Sequence, residues 1–154
     1  MKPFPHCYRA RLTGGPFAYA ELTAAGVPAL RTGPPALFDG PGDAWSPEEL
    51  FLAAIESCFL FTLRAVARLS KLEFVNLQLD TEGVVDRQDR VIRFTDIVLR
   101  ASLTVPAGTD RAAALAVLEK TKAACLVSAS ISTPIRLEAA IQDAAGAAPF
   151  RAAS

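Results

Sequence analysis

The sequence predicts an α+β domain, and three observations carry this prediction. Glycine and proline divide the first 45 residues into short segments in which apolar and polar residues partly alternate, as in half-buried strands. A long apolar run with spacings of three and four follows a strong helix-start signal at residue 46. Two alternating segments, a second helical pattern and a last β-like segment complete the order. With 154 residues and about 100–200 residues per domain, we expect one domain over 1–154.

The N-terminal part, residues 1–45, is predicted to be a β-meander followed by irregular loops. Its strands should fall within Tyr8–Leu12 and Phe17–Leu22, where the alternation is clearest. The loops should extend from about Thr32 to Trp45, because glycine and proline are concentrated there.

The clearest start signal in the chain opens a long helix. Ser46 is expected to cap the amide of Glu49, whose side chain returns to the amide of Ser46, and Pro47 suits the first helical position. From Leu50 onwards, apolar residues recur on nearly every side of the helix. The helix should therefore be buried and should run to about Leu69.

The rest of the core, within residues 46–142, is predicted to contain a hairpin, a second helix and a final strand. The hairpin strands are Phe74–Val85 and Val91–Val105, joined by a charged turn over Asp86–Arg90. A second helix should start near Asp110 and reach Cys125, with one apolar face formed by Ala113, Val117, Leu118 and Thr121. Val127–Ile141 resumes β character, and residues 143–154 are expected to be a loose tail.

Composition excludes several classes of partner. The 16 basic residues are balanced by 16 acidic ones, so we do not expect a basic surface that binds a phosphate backbone. Nucleic acid is therefore not a predicted partner. No membrane partner is expected either, because Glu56 and Arg64 interrupt the most apolar stretch, Leu50–Val66. The mean hydropathy of +0.28 is high for a single globular chain. An oligomer that buries the surplus apolar surface is the natural expectation.

The three cysteines indicate a reducing compartment. Cys7, Cys58 and Cys125 form an odd set without a CxxC pair, and the N-terminus shows no apolar leader, so we expect a cytoplasmic protein. Even with His6, these residues give four scattered ligands without zinc-finger spacing. We therefore expect no metal and no cofactor.

Two interpretations of the helical cysteines follow from the residues alone. Cys58 and Cys125 are either small buried hydrophobes or a redox pair in which one thiolate attacks and the other resolves the product. A nucleophilic thiol usually needs a nearby cation, and the candidates in the N-terminal segment are Arg9, Arg11 and Arg31. Each arginine is otherwise an ordinary solvated charge.

Several motifs resemble the osmotically inducible/organic hydroperoxide resistance (OsmC/Ohr) family. The resemblance spans about residues 37–141. Its first half consists of a loop and a helix start that lies ten residues before a cysteine. The matching segments are Leu37–Gly40, Ser46–Leu50, Ala53-Ala54 and Ser57-Cys58. Its second half resembles the family's "FT.I" strand and second-cysteine segment, in Phe94–Ile97, Lys120–Cys125 and Val127-Ser128.

This resemblance implies a thiol-dependent peroxidase that reduces organic hydroperoxides or hydrogen peroxide in oxidative-stress defence. Cys58 would be the peroxidatic residue, Cys125 the resolving one, and a dithiol the reductant. The implied fold is an intertwined homodimer with antiparallel sheets around two central helices and shared active sites. Glu48 corresponds to the glutamate that orients the family's arginine. Ten helical residues span about 15 Å, so Glu48 would serve a site completed by the partner; alternatively it only complements the helix dipole.

The sequence also departs from the family pattern. Leu37 occupies the position where one branch has its arginine, and Phe17–Leu22, where the other branch would place it, contains none. Arg31 or Arg9 is the candidate replacement, and Leu126 stands where a proline usually follows the second cysteine. The missing cation favours an alternative function, a non-catalytic module that binds a hydrophobic small molecule in the dimer cleft.

Overall fold

The computed structural model describes residues 3–17 and 19–144. They belong to two compact units, Met1–Phe51 and Leu52–Ser154. Most of the predicted tail lies outside the described residues, and the expectation of a single domain stays a prediction. The α+β class is confirmed, since each unit contains a three-stranded sheet and the second unit adds helices.

The first unit contains the predicted meander, with strands β1 (Arg11–Gly14), β2 (Ala20–Thr23) and β3 (Leu30–Thr32). The sheet order is β1-β2-β3 and both pairings are antiparallel. The strands begin later than predicted. The chain turns after Thr23, with Gly26 at a φ of +79°, so the residues before Arg11 have no β2 partner.

The predicted irregular loop after β3 is more ordered than expected. The Thr32 hydroxyl donates to the Trp45 carbonyl at 2.6 Å, which ties the two ends of the loop together. Between them, Ala36–Phe38 form a single 3-10 turn. A side chain at Gly40 would collide with the carbonyl of Pro34, so this close turn requires glycine.

Helix α1 (Pro47–Leu69) has the predicted start and end. The Ser46 amide donates to Glu49 Oε2 at 2.8 Å, and the Glu49 amide donates to Ser46 Oγ at 3.1 Å, which confirms the capping box. The buried face of the helix is narrower than the all-round burial predicted. Within one chain the helix buries only Ile55, Phe59, Leu63 and Ala67.

The exposed faces of α1 remain strongly apolar. Phe61 is 60% exposed and Leu69 81% exposed. By length and composition alone, the helix could cross a membrane, with a mean hydropathy of 1.8 over an 18-residue window. A central helix of a globular protein has the same properties, so one such helix is weak evidence for a membrane span.

The hairpin of the second unit consists of β4 (Asn76–Gln88) and β5 (Val91–Val105). The expected five-residue turn was wrong, because β4 continues to Gln88, which pairs with Val91. The turn is only Asp89-Arg90, with φ values of 49° and 68°. Two residues with positive φ match the right-handed twist of the flanking strands and allow pairing up to the turn.

The segment after β5 forms α2 (Arg111–Ala124), α3 (Leu126–Ala129) and β6 (Ile135–Asp143). A strand starting at Val127 was therefore a wrong prediction. Strand β6 pairs with β5 in parallel, unlike the antiparallel pairing expected, because the helices carry the chain back along the sheet.

The core of the second unit lies between its helices and β5. Asp110 caps the start of α2, because its side chain accepts hydrogen bonds from two amides of the first turn. The buried face of α2 is formed by Ala114, Val117, Leu118 and Thr121. Ala113 was predicted on this face, but it is exposed. The buried cluster joins residues of α1, β5 and α2, namely Phe59, Leu63, Ala67, Leu99, Leu103, Val105, Ala114, Val117 and Leu118.

Candidate functional site

Two of the predicted site residues meet in the second unit. Cys58 lies in the middle of α1 and is half-buried, and Cys125 follows the last residue of α2 and is fully buried. The two thiols are close enough to shift each other's pKa: Cys125 lowers the pKa of Cys58, and Cys58 raises the pKa of Cys125. The fold thus brings together two residues that are 67 positions apart in the sequence.

The end of α2 explains how Cys125 reaches this position. The Cys125 amide bonds the Lys122 carbonyl at 3.3 Å, and the Cys125 backbone then becomes extended, with φ of −69° and ψ of 112°. The chain turns at once into α3, whose first bond joins the Ala129 amide to the Cys125 carbonyl at 2.9 Å. This geometry directs the Val127 amide at Cys58 Sγ, at 3.5 Å.

The surroundings of Cys58 favour its thiolate. Burial alone raises the pKa of Cys58, but hydrogen bonds outweigh burial and hold this pKa below its ordinary value. The Val127 amide lowers the pKa most, followed by the Cys125 thiol, the Thr62 hydroxyl and the Leu126 amide. Thr62 makes the longest of the measured contacts, with 4.0 Å between its oxygen and the sulfur.

The surroundings of Cys125 favour its protonated form. Burial raises the pKa of Cys125. The neighbouring Cys58 raises it further, because a second negative charge beside the Cys58 sulfur is unfavourable. The hydroxyl and amide of Ser128 act in the opposite direction without reversing the result. Of the two thiols, Cys58 therefore loses its proton more readily than Cys125.

The predicted glutamate lies at the start of α1, in the first unit. Glu48 is the second residue of the helix, and its Oε2 atom is buried without a hydrogen-bond partner among the described residues. An unpaired buried carboxylate oxygen is costly, so it is a position where a donor would bind favourably. The neighbouring Glu49 is instead used by the capping box.

The candidate cations also belong to the first unit. Arg31 lies on β3, where its guanidinium bonds the Asp43 carbonyl at 2.9 Å and the Asp43 carboxylate at 3.4 Å. The same guanidinium lies 4.4 Å from the centre of the Tyr19 ring. Arg9 is exposed in the segment before β1, and Arg11 is exposed on β1.

The remaining thiol, Cys7, is exposed near the N-terminus. Over residues 3–17 and 19–144, no group of three or more histidine, cysteine or acidic side chains could hold a metal ion.

Sequence reasoning missed several groups around the sulfur atoms. Thr62 lies four residues after Cys58 on the same helix, and this spacing is a signal that could have identified it. The amides of Leu126 and Val127 carry no signal of their own in the sequence. They became visible only once this segment proved to be a helical turn rather than a strand.

Comparison with known proteins agrees with this architecture. Residues 40–140 match the family model described as OsmC-like protein. The chain belongs to this family. It is 31% identical over 113 residues to the uncharacterized protein YmaD of Bacillus subtilis, a match that covers 70% of this chain and 75% of YmaD. The resemblance found in the sequence is thereby confirmed.

Solved structures show the same OsmC-like fold at low sequence identity. An OsmC-like protein from Mycoplasma pneumoniae has a TM-score of 0.79 at 11% identity, with 90% of this chain and 99% of that chain covered. An OsmC-like protein of unknown function from Vibrio cholerae has a TM-score of 0.80 at 15% identity, covering 88% and 100%. An organic hydroperoxide resistance protein from Legionella pneumophila has a TM-score of 0.72 at 23% identity, covering 91% and 99%.

Proposed function

We propose that this protein is a cysteine-based thiol peroxidase that reduces organic hydroperoxides or hydrogen peroxide in the cytoplasm. The observation that carries the proposal is the pair of neighbouring thiols where α2 and α3 meet α1, with the Val127 amide 3.5 Å from Cys58 Sγ and the two pKa values displaced in opposite directions. Among the structural neighbours, proteins from Legionella pneumophila and Elizabethkingia anophelis are described as organic hydroperoxide resistance proteins, which supports this class of substrate.

Cys58 is the attacking residue in this proposal. Its thiolate attacks the peroxide oxygen that carries hydrogen, and the O–O bond breaks. The sulfur is oxidised to sulfenic acid, and the other oxygen leaves as an alkoxide that takes a proton to become the alcohol. Cys58 suits this role better than Cys125, because it is the accessible member of the pair and the one whose thiolate is favoured.

Cys125 is the resolving residue. Its sulfur attacks the sulfenic acid of Cys58, a disulfide forms, and the hydroxyl group leaves with the Cys125 proton as water. An external dithiol then reduces the disulfide by exchange, becomes a disulfide itself and regenerates both thiols. The two electrons that reduce the peroxide thus come from the dithiol.

A homodimer with shared sites would complete this arrangement. The exposed apolar faces of α1 offer a surface for a second copy, in keeping with the 22% burial of its most apolar window in one chain. In such a dimer, the buried oxygen of Glu48 would orient a cation at a site shared across the interface, with Arg31 and Arg9 as candidates. Light scattering at micromolar concentration should report about twice the chain mass of 16.3 kDa. A monomer would contradict the shared site.

Peroxide consumption tests the activity directly. With dithiothreitol as reductant, the wild type should consume cumene hydroperoxide, and Cys58→Ser should abolish turnover, because the remaining thiol of the pair, Cys125, is buried and has a raised pKa. Cys125→Ser should trap the sulfenic acid, detectable with dimedone, or become over-oxidised. Cys7→Ser is the matched control and should keep full activity, since Cys7 is exposed and outside the pair. A wild type that consumes no peroxide would contradict the proposal and favour the ligand-binding module.

A further inference from the structure

The segment Phe94–Ile97, which resembles the family's "FT.I" strand, contains an irregularity in β5. Between Val84 and Val85 the register with β4 shifts, and Thr95 is left as an extra residue in β5. An extra residue of this kind is a β-bulge, which bends the strand and interrupts its regular hydrogen bonding. Bulges are common next to functional sites, and the hydrogen bonds of this bulge lead towards α3.

One carbonyl at the bulge binds the chain between α3 and β6. The Thr133 hydroxyl donates to the Phe94 carbonyl at 3.0 Å, and Thr133 is half-buried. Pro134 has no N–H to donate, and backbone pairing between β5 and β6 begins after it, at Ile135. The Thr133 hydroxyl thus supplies a donor to β5 just before the point where backbone pairing starts.

The start of β6 is also joined to the bulge by an ion pair. The Arg136 guanidinium donates to the Asp96 carboxylate at 2.9 Å. Like the backbone pairing, this contact lies beyond Pro134, whereas the Thr133 bond attaches the residues that precede the proline.

Residues 126–133, here called the α3 segment, begin beside the cysteine pair and end at the bulge. The segment follows Cys125 directly, and near its start the Val127 amide lies 3.5 Å from Cys58 Sγ. At its end, the Thr133 hydroxyl bonds β5. A short connection that is fixed at both ends has few alternative conformations, so its contact with the cysteine pair is maintained.

We infer that Thr133 is a positioning residue for the Cys58–Cys125 pair. Its hydroxyl, bonded to the Phe94 carbonyl, holds the far end of the α3 segment on β5 and thereby keeps Cys125 beside Cys58. This inference rests on the proposed function in taking the two cysteines as a redox pair. The dependent step is the attack of the Cys125 sulfur on the Cys58 sulfenic acid, in which the S–S bond forms and the hydroxyl group leaves with the Cys125 proton as water. A disulfide requires Cα atoms within about 7 Å, so displacement of Cys125 slows this step.

Three variants separate the hydrogen bond from the packing around it. Thr133→Val keeps the shape of the side chain and removes the donor, whereas Thr133→Ser keeps the donor and removes a methyl group. Thr95→Val is the matched control, because the Thr95 hydroxyl also bonds a carbonyl at the bulge, that of Val84 at 3.3 Å. This control removes a similar bond within the hairpin and leaves the α3 segment attached.

The test measures how fast the Cys58–Cys125 disulfide forms in a Cys7→Ser background. After one equivalent of cumene hydroperoxide, samples are quenched at timed intervals, and sulfenic acid and disulfide are measured by mass spectrometry. We expect Thr133→Val to slow disulfide formation by about fivefold, as for the loss of one typical hydrogen bond, and to leave the rate of peroxide consumption in this first turnover unchanged. Thr133→Ser and Thr95→Val should match the background in both steps. A purely structural role would not slow one step alone.

Three results would overturn the inference. The first is disulfide formation at the background rate in Thr133→Val. The second is equal slowing in Thr133→Ser, which would assign the effect to packing. The third is equal slowing in Thr95→Val, which would assign the effect to the stability of the bulge.

Oxidation by diamide, which forms disulfides without peroxide, keeps the two proposals apart. If the protein consumes no peroxide and diamide forms the disulfide about fivefold more slowly in Thr133→Val than in Thr133→Ser, the positioning role is supported and the peroxidase is contradicted. If peroxide is consumed and Thr133→Val matches the background with both oxidants, the reverse holds. A protein in which neither oxidant forms the disulfide contradicts both.

Hydrogen exchange of the wild type keeps the inference testable if Thr133→Val does not fold. The Ala129 and Ser130 amides bond within α3, to the Cys125 carbonyl at 2.9 Å and the Val127 carbonyl at 3.0 Å. We expect these amides to exchange at least about tenfold more slowly than in the unfolded chain, because a segment fixed at both ends opens rarely. Exchange at the unfolded rate would overturn the inference.

Discussion

The surroundings of Cys58 and Cys125 differ although the two thiols are neighbours that shift each other's pKa. Cys58 projects from the middle of a continuous helix and is half-buried, with several donors directed at its sulfur. Cys125 occupies the junction between two helices and is fully buried, and its pKa is raised. The comparison shows that hydrogen-bond donors around the sulfur lower the pKa of Cys58, whereas burial raises that of Cys125.

The largest expected effect is a difference in reactivity between the two thiols. In a Cys7→Ser background at pH 7, iodoacetamide should label Cys58 at least about tenfold faster than Cys125, because both ionisation and access favour Cys58. Raising the pH should increase labelling of Cys58 first, since its pKa lies below the ordinary value and that of Cys125 above it.

The control for this difference is the same protein unfolded in urea, where the two thiols should react at similar rates. Equal labelling of the folded protein, or faster labelling of Cys125, would remove the distinction on which the proposed roles depend.

A smaller effect should follow from changing only the surroundings of Cys125. The Ser128 hydroxyl lowers the pKa of Cys125, so Ser128→Ala should raise this pKa further. We expect disulfide formation after peroxide addition to slow by about threefold, with more over-oxidised Cys58, because the resolving sulfur attacks as a thiolate. Quenching at timed intervals and mass spectrometry measure both products.

Ser130→Ala is the matched control for this variant, because the Ser130 hydroxyl bonds the Leu126 carbonyl at 2.8 Å and does not contact Cys125 in the described bonds. If both serine variants slow disulfide formation equally, the effect belongs to the stability of α3 and not to the Cys125 proton.

Those parts of the fold that depend on local sequence could be predicted. Helix α1 has the predicted bounds because the Ser46–Glu49 capping box and the long apolar repeat act within a few residues of each other. Strand β5 also has its predicted bounds, Val91–Val105. The turn at Asp89-Arg90 was not foreseen, because neither residue is the glycine or asparagine that usually marks a turn with positive φ.

The parts of the site that depend on distant contacts could not be predicted. The apolar start of Leu126–Ala129 suits a strand as well as a helix, and only its place after α2 makes it a helical turn. The proximity of the two thiols follows from the packing of α1 with α2 and β5, which no spacing in the sequence specifies. Backbone amides are present at every residue except proline, so their use at Cys58 is visible only in the structure.

Peroxide-driven crosslinking tests most directly whether Cys58 and Cys125 form one redox unit. One equivalent of cumene hydroperoxide should convert the reduced Cys7→Ser protein into a form with a Cys58–Cys125 disulfide, identified by mass spectrometry of peptides without reduction. The matched Cys125→Ser variant should give no crosslink and a dimedone adduct on Cys58. Recovery of both cysteines as free thiols, with the peroxide unconsumed, would contradict the account.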